Sequence, residues 1–269
     1  MLLAERPREP SKHKPKGEAP AVAADPALVE ELVAANRILF RQGVVDSFGH
    51  VSVRDGRDAK RFLLARSMAP ALVTAADVMT FDLDGEPVLP AGSTGSTLYA
   101  ERFIHSEIYR ARADVHAVVH SHSPAVIPFG VVSSTPLRAI YHMGGFLGRS
   151  VPVFDIRAAA GPASDMLIRD RALGAALARS LAAGPVVLMR GHGSTAVGSD
   201  LRQAVYRAVY TEVNARLQME AMRLGPVVYL SDEEAANAAA TNARQVDRAW
   251  ELWKMTACGA GPESGGEAL

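Results

Sequence analysis

Two apolar runs of this chain end at histidines. Ala117-Val118-Val119 leads into His120-Ser121-His122-Ser123-Pro124, and Val186-Val187-Leu188-Met189 leads into Arg190-Gly191-His192-Gly193. Short β-branched runs of this kind read as buried strands. Residues i and i+2 of a strand share a face, so His120 and His122 stand about 6–7 Å apart at the backbone. Two imidazoles at that spacing can close on one metal ion. A third, from a neighbouring strand end, completes a facial set and leaves positions open for water or substrate. A fold that uses this set must bring the ends of two distant strands together.

The segments around these runs mix helices and strands. Residues 26–42 carry helical periodicity through Leu28, Leu32, Ala35 and Leu39, and Gly43 stops it. Residues 50–54 and 61–65 read as paired strands around Asp55-Gly56, and 78–82 with 86–89 as a hairpin around Asp84-Gly85. Helices are predicted over 98–112, 164–183 and 200–224. The residues 127–148 read as irregular. Ser231 with Glu234 forms a capping box that opens a last helix to about residue 255. There is no strict βαβ rhythm, which favours a layered sheet with helices on its faces over a barrel. There is also no internal repeat and no Gly-rich phosphate loop.

With 269 residues the chain can bury one large core or at most two small domains. Residues 1–25, rich in Pro, Lys, Glu and Ala, read as a disordered tail, 26–257 as one domain, and 258–269 as a flexible tail. A formal net charge of zero argues against nucleic acid or an anionic membrane as a partner. No apolar run approaches bilayer length, and Met1-Leu2-Leu3-Ala4-Glu5-Arg6-Pro7 lacks the apolar core of a signal peptide. The single cysteine, Cys258, fits a reducing compartment, so a cytoplasmic location is expected.

A lone buried histidine is more often a core residue than a ligand. A His-x-His pair is stronger, because two basic rings seldom lie side by side without a common partner. Amidohydrolase barrels carry such a pair near the N-terminus. Cupins usually place a Glu four residues on, where this chain has Val126. Upstream, Glu101 and His105 are spaced i and i+4 on the helix that runs into the His120 strand. A carboxylate there could ligate the ion or act as base or acid; a surface Glu–His pair is the plainer alternative.

The order of these motifs resembles the class II aldolase/adducin family: His50-Val51-Ser52-Val53-Arg54, then Glu101 with His105, then the helix and strand that end in His120-Ser121-His122, then Gly191-His192-Gly193 with Gly198. The resemblance implies a three-layer α/β/α fold around a central mixed, mostly antiparallel sheet. It implies one divalent metal ion per subunit on His120, His122 and His192, with Glu101 as the catalytic glutamate that can also touch the metal. Zinc heads the candidate ions, followed by manganese, iron and cobalt. It also implies a homotetramer with active sites at subunit interfaces.

The chain departs from sugar-phosphate members of that family. Leu98-Tyr99-Ala100 stands where they carry small hydroxyl residues, Ala65-Arg66-Ser67-Met68-Ala69-Pro70 replaces their Thr-Pro-Ser/Thr-Gly turn, and His50 replaces an Asn. Their phosphate cradle is therefore rebuilt, and Arg66 with Ser67 is expected to hold a substrate carboxylate instead; a surface salt bridge is the plainer alternative for Arg66. Ser47-Phe48-Gly49-His50-Val51-Ser52, Tyr141-His142-Met143-Gly144-Gly145-Phe146 and Trp250-Glu251-Leu252-Trp253-Lys254 are similar to a decarboxylase branch. That branch acts on carboxylated hydroxymuconic semialdehydes or dihydroxyphthalate-type acids.

The expected function is thus decarboxylation of a small carboxylic acid through a metal-stabilised enolate. His50 or Glu101 would protonate the carbon, and Tyr141 and His142 are further candidates for substrate contact. A retro-aldolase acting on an unphosphorylated hydroxy or oxo acid would keep the same ligands. A non-enzymatic adducin-type scaffold would be expected to lack them. Three histidines without a cysteine suit an open catalytic site better than a structural zinc site.

Overall fold

Alternation along the strands is what builds the layers. The computed structural model describes residues 24–88 and 95–259. Asp25 accepts the Ala27 N–H and Pro26 occupies the first turn, which starts α1 (Pro26–Arg41). Then follow β1 (His50–Arg54), β2 (Arg61–Ala65), β3 (Val78–Asp82), α2 (Arg102–Ala111), β4 (Ala117–Ser121), α3 (Ile127–Val131), β5 (Val153–Phe154), α4 (Arg157–Ala160) and α5 (Arg171–Leu181). The chain continues through β6 (Val186–Met189), β7 (Gly193–Gly198), α6 (Leu201–Leu224), α7 (Asp232–Ala243) and α8 (Val246–Cys258).

The strands form one open sheet in the order β3-β2-β1-β4-β7-β6-β5. Every neighbouring pair is antiparallel except β5 with β6. The sheet is therefore mixed and mostly antiparallel, as expected. Val51, Val53, Leu63, Ala117, Val119, Val186 and Leu188 point to one face, where they join Leu32, Ile38, Val205, Val209 and Trp250 of α1, α6 and α8. Phe62, Leu64, Phe81, Val118, Val187 and Met189 point to the other, against Ile104, Ile108, Leu177 and Leu181 of α2 and α5. Burying one such side chain stabilises the fold by about 1.5–3 kcal/mol, and both faces of the sheet do so. Three layers result. No helix among the described residues is long and apolar enough to cross a membrane.

Several boundaries differ from the sequence expectation. α2 starts at Arg102 rather than 98, because residues 98–101 turn to aim Tyr99 and Glu101 sideways. α5 starts at Arg171 rather than 164, where Asp170 caps the Leu173 N–H. The Ser231–Glu234 box forms, but the helix it opens ends at Ala243, and α8 begins at Val246. Asp84-Gly85 makes its turn, and the described part of the return segment, 86–88, contributes an isolated Phe81–Pro87 bridge rather than a strand; residue 89 lies outside the described residues. β5 and β7 were not foreseen. The segment 127–148, expected to be irregular, opens with α3 and closes with a short 3-10 helix at His142–Leu147; between them α6 satisfies the backbone. Asn214 accepts the Ile140 N–H and donates to the Arg138 carbonyl, while Gln218 accepts the Arg138 N–H and donates to the Pro136 carbonyl. Apart from Ala24, Asp25, Cys258 and Gly259, the two predicted tails lie outside the described residues.

Candidate metal centre and its cavity

The ends of β4, β6 and β7 carry three of the four candidate ligands. His120 follows Val118 on the α2 face of β4, and His122 lies just past the strand. Gly193 lets β7 press against β4, since a Cβ there would come within 2.0 Å of the Ser121 carbonyl oxygen. Gly191, at φ +66°, makes the turn that brings His192 back to the end of β4. His122 is fixed from behind: Glu212 of α6 accepts both the Ser123 hydroxyl and the Ala125 N–H.

All three rings converge through Nε2. The His120–His122 separation is 3.2 Å and the His122–His192 separation 2.9 Å. Glu101 Oε2 lies 3.5 Å from Nε2 of both His120 and His192. One ligand atom from each of these four residues lies within 4.8 Å of the others. Nitrogen donors at 2.0–2.1 Å from one tetrahedral ion stand about 3.3 Å apart, so the set fits a metal such as zinc.

The outer hydrogen bonds select the tautomers. His120 Nδ1 lies 3.1 Å from the Ser194 carbonyl and His192 Nδ1 3.0 Å from the Met166 carbonyl. A carbonyl only accepts, so each Nδ1 carries the proton and each Nε2 a free lone pair. Met166 holds its carbonyl there at φ +69°, a left-handed conformation unusual for methionine. Two residues on, the Ile168 N–H donates to Glu101 Oε1 at 3.0 Å. One loop thus orients both a histidine and the carboxylate.

Electrostatics agree with this role. Burial, with help from His120 and His192, lowers His122 to about 4, so it is neutral at pH 7, as a metal ligand must be. Burial works against ionisation of Glu101, but positive charge on the His120 and His192 imidazoles, the charge a bound cation would replace, outweighs it and holds the carboxyl well below its usual range.

A cavity of about 380 Å³ opens beside the cluster, lined by Phe48, His50, Ser67, Tyr99, Glu101 and His122 among others. It falls within the size of small-molecule pockets, about 300–1,000 Å³. Of the residues anticipated from sequence, His50, Ser67, Glu101 and His122 line it together. Arg66 does not: its Nε donates to Asp77 at 2.7 Å. Tyr141 and His142 are not brought here either. His142 borders a separate depression against α7, and the Tyr141 hydroxyl is buried near Tyr206 and Tyr210. His105 is fully buried and turns from Glu101 toward β1, so the two are not a surface pair. Sequence reasoning missed Tyr99, Phe48 and Glu212. Tyr99 had a signal in its place two residues before Glu101; Glu212 had none beyond a carboxylate on a helix.

A profile of the class II aldolase and adducin N-terminal domain matches residues 30–219. The chain is 39% identical to decarboxylase tropJ of Talaromyces stipitatus over 84% of its own length and 92% of the relative's. It is 32% identical to a 3,4-dihydroxyphthalate decarboxylase of Arthrobacter keyseri, over 73% and 79% of the two chains. Among solved structures it is similar in fold to L-fuculose 1-phosphate aldolase from Glaciozyma antarctica, with a TM-score of 0.69 and 23% identity over 86% and 89% of the chains.

Proposed function

Since the chain belongs to the class II aldolase and adducin family, we propose that it is a metal-dependent decarboxylase of a small aromatic or ring-cleavage carboxylic acid. The observation that carries this reading is the convergence of three Nε2 atoms and one carboxylate at the rim of a cavity that also contains His50. The two relatives named as decarboxylases support it, and the name of the second points to dihydroxyphthalate-like substrates.

In this reading His120, His122, His192 and Glu101 hold one divalent ion, zinc first by its donor set. Bound there, the ion supplies a Lewis acid for negative charge on a substrate oxygen. An ortho-hydroxy acid suits the cavity chemically. In its keto tautomer the carboxylate is β to a carbonyl, so breaking the carbon–carbon bond releases carbon dioxide and leaves its electron pair as an enolate. That carbon must then take a proton, and His50 and Glu101 are the groups at the cavity able to deliver it. Ser67 contributes a hydroxyl for a substrate oxygen, and Tyr99 and Phe48 offer ring faces to an aromatic acid. We read the working form as a cytoplasmic homotetramer. Leu224 and Val228, each 91% exposed, supply apolar surface for subunit contacts.

The test is a substrate panel offered to the metal-loaded protein, 3,4-dihydroxyphthalate and carboxylated hydroxymuconic semialdehydes on one side and hydroxy acids on the other. Carbon dioxide release from the first group is expected. Aldehyde or pyruvate from the second group, with no carbon dioxide from the first, would make the protein an aldolase instead.

A further inference from the structure

Behind His50 lies a line of buried polar groups that ligates nothing. Tyr109 and His105 are i+4 and i on the inward face of α2, and Ser52 and His50 are i+2 and i on the facing side of β1. All four are buried. The Tyr109 hydroxyl lies 2.8 Å from Ser52 Oγ, Ser52 Oγ 2.6 Å from His105 Nδ1, and His105 Nε2 2.6 Å from His50 Nδ1. Four side chains of three types are thus joined end to end, and the last of them lines the cavity.

The direction of this line follows from counting protons. Burial raises the Tyr109 phenol, so it keeps its proton. Either hydroxyl could donate across this contact, but Ser52 Oγ is the side-chain acceptor that Tyr109 meets; were Ser52 the donor, the buried phenol proton would be left without it, so Tyr109 donates to Ser52. Ser52 has one proton, and it goes to His105 Nδ1. His105 is neutral, lowered to about 3 chiefly by burial, so its single ring proton sits on Nε2 and is donated to His50 Nδ1. His50 is then left with its own proton on Nε2, the nitrogen not occupied by His105.

We propose that Tyr109, Ser52 and His105 form a one-way hydrogen-bond relay that locks His50 in its Nε2–H tautomer, so that it meets the substrate as a hydrogen-bond donor. The three are positioning residues, acting through His50. The tautomer itself depends only on this geometry. Its consequence for a substrate oxygen rests on the function proposed above.

Long-range proton–nitrogen NMR of the metal-free protein at pH 7 reads the tautomer directly. Both His50 and His105 are expected with the proton on Nε2 and a bare Nδ1. A proton on Nδ1 of His50 would overturn the proposal, whatever the enzyme's substrate. Two variants add a functional readout with 3,4-dihydroxyphthalate as probe. His105→Gln keeps an amide N–H for His50 Nδ1 and an oxygen for Ser52, so it is expected to retain most of kcat. His105→Leu removes both and is expected to lower kcat by about 10- to 100-fold, more than it changes KM. Equal losses in the two variants, with both folded, would mean that His105 only fills space, and would overturn the relay. If His105→Leu does not fold, the wild-type tautomer and the retained kcat of His105→Gln decide. Absence of turnover by the wild-type protein would count against the proposed function and leave the tautomer measurement decisive.

Discussion

His122 Nε2 lies 2.9 Å from His192 Nε2, although 70 residues separate the two along the chain. The Met166 carbonyl takes the Nδ1 proton of His192, and the Ser194 carbonyl takes that of His120, so both present lone pairs to His122. A single proton on His122 cannot serve both, whereas a shared cation can. His122→Ala should therefore lower the zinc content retained after dialysis by at least about tenfold with the far-ultraviolet circular dichroism unchanged. Full retention of zinc would remove His122 from the ligand set.

Glu212 holds the segment that follows His122. Glu212→Ala leaves the Ser123 hydroxyl and the Ala125 N–H buried without their acceptor, which costs about 2–3 kcal/mol. Urea unfolding should show that loss, and a metal titration should show affinity weakened about tenfold through His122. An affinity equal to wild type would mean that β4 alone positions the ring.

The buried histidines make the metal-free protein acid-sensitive. His105 is lowered to about 3 by burial, with a lesser contribution from His120, against 6.5 for a free imidazole. The unfolded chain therefore binds a proton that the folded chain refuses. Stability is fully present above about pH 6.5 and declines as the pH falls toward 3, and His105 alone accounts for a loss of about 2 kcal/mol between pH 7 and pH 5. Denaturant unfolding at the two pH values should show a smaller loss for His105→Gln. An identical loss in that variant would place the acid sensitivity elsewhere.

Arg66 is engaged by Asp77 in a pair that is partly open to solvent, with 41% of the Arg66 side chain exposed. Such pairs contribute at most about 1 kcal/mol. Steady-state kinetics of Arg66→Ala on a turned-over acid should give KM within about threefold of wild type, since that energy corresponds to only a few-fold change. A rise beyond tenfold would mean that Arg66 leaves Asp77 to hold a substrate carboxylate.

How much of this was legible in the chain follows from what makes each element form. β1, β2, β4 and β6 are β-branched or alternating runs, and their burial shows in composition alone. β7 is Gly193-Ser194-Thr195-Ala196-Val197-Gly198, small residues chosen by close approach: Gly193 to the Ser121 carbonyl and Gly198 to the Ala204 N–H. Neither contact exists until the chain is folded. The break between α7 and α8 at Arg244-Gln245 lacks Gly or Pro to announce it. At the site, the histidines were readable because a strand period and a ligand set coincide. The partners of His105 were not, because they come from β1, more than 50 residues upstream. Motif order placed Tyr141 and His142 near the chemistry, but within one chain the backbone bonds made by α6 hold that segment against α6 and α7.

In the sheet, His50 of β1 stands opposite His120 of β4, yet β1 supplies none of the four candidate ligands. In the proposed reading, Glu101 serves both grip and tool, while β1 adds His50 to the tool alone. A change at position 50 would alter what the cavity offers a guest molecule without removing any of the four candidate ligands. That division of labour gives one inherited scaffold room to take up new chemistries, and it makes β1 the strand on which a designer should begin.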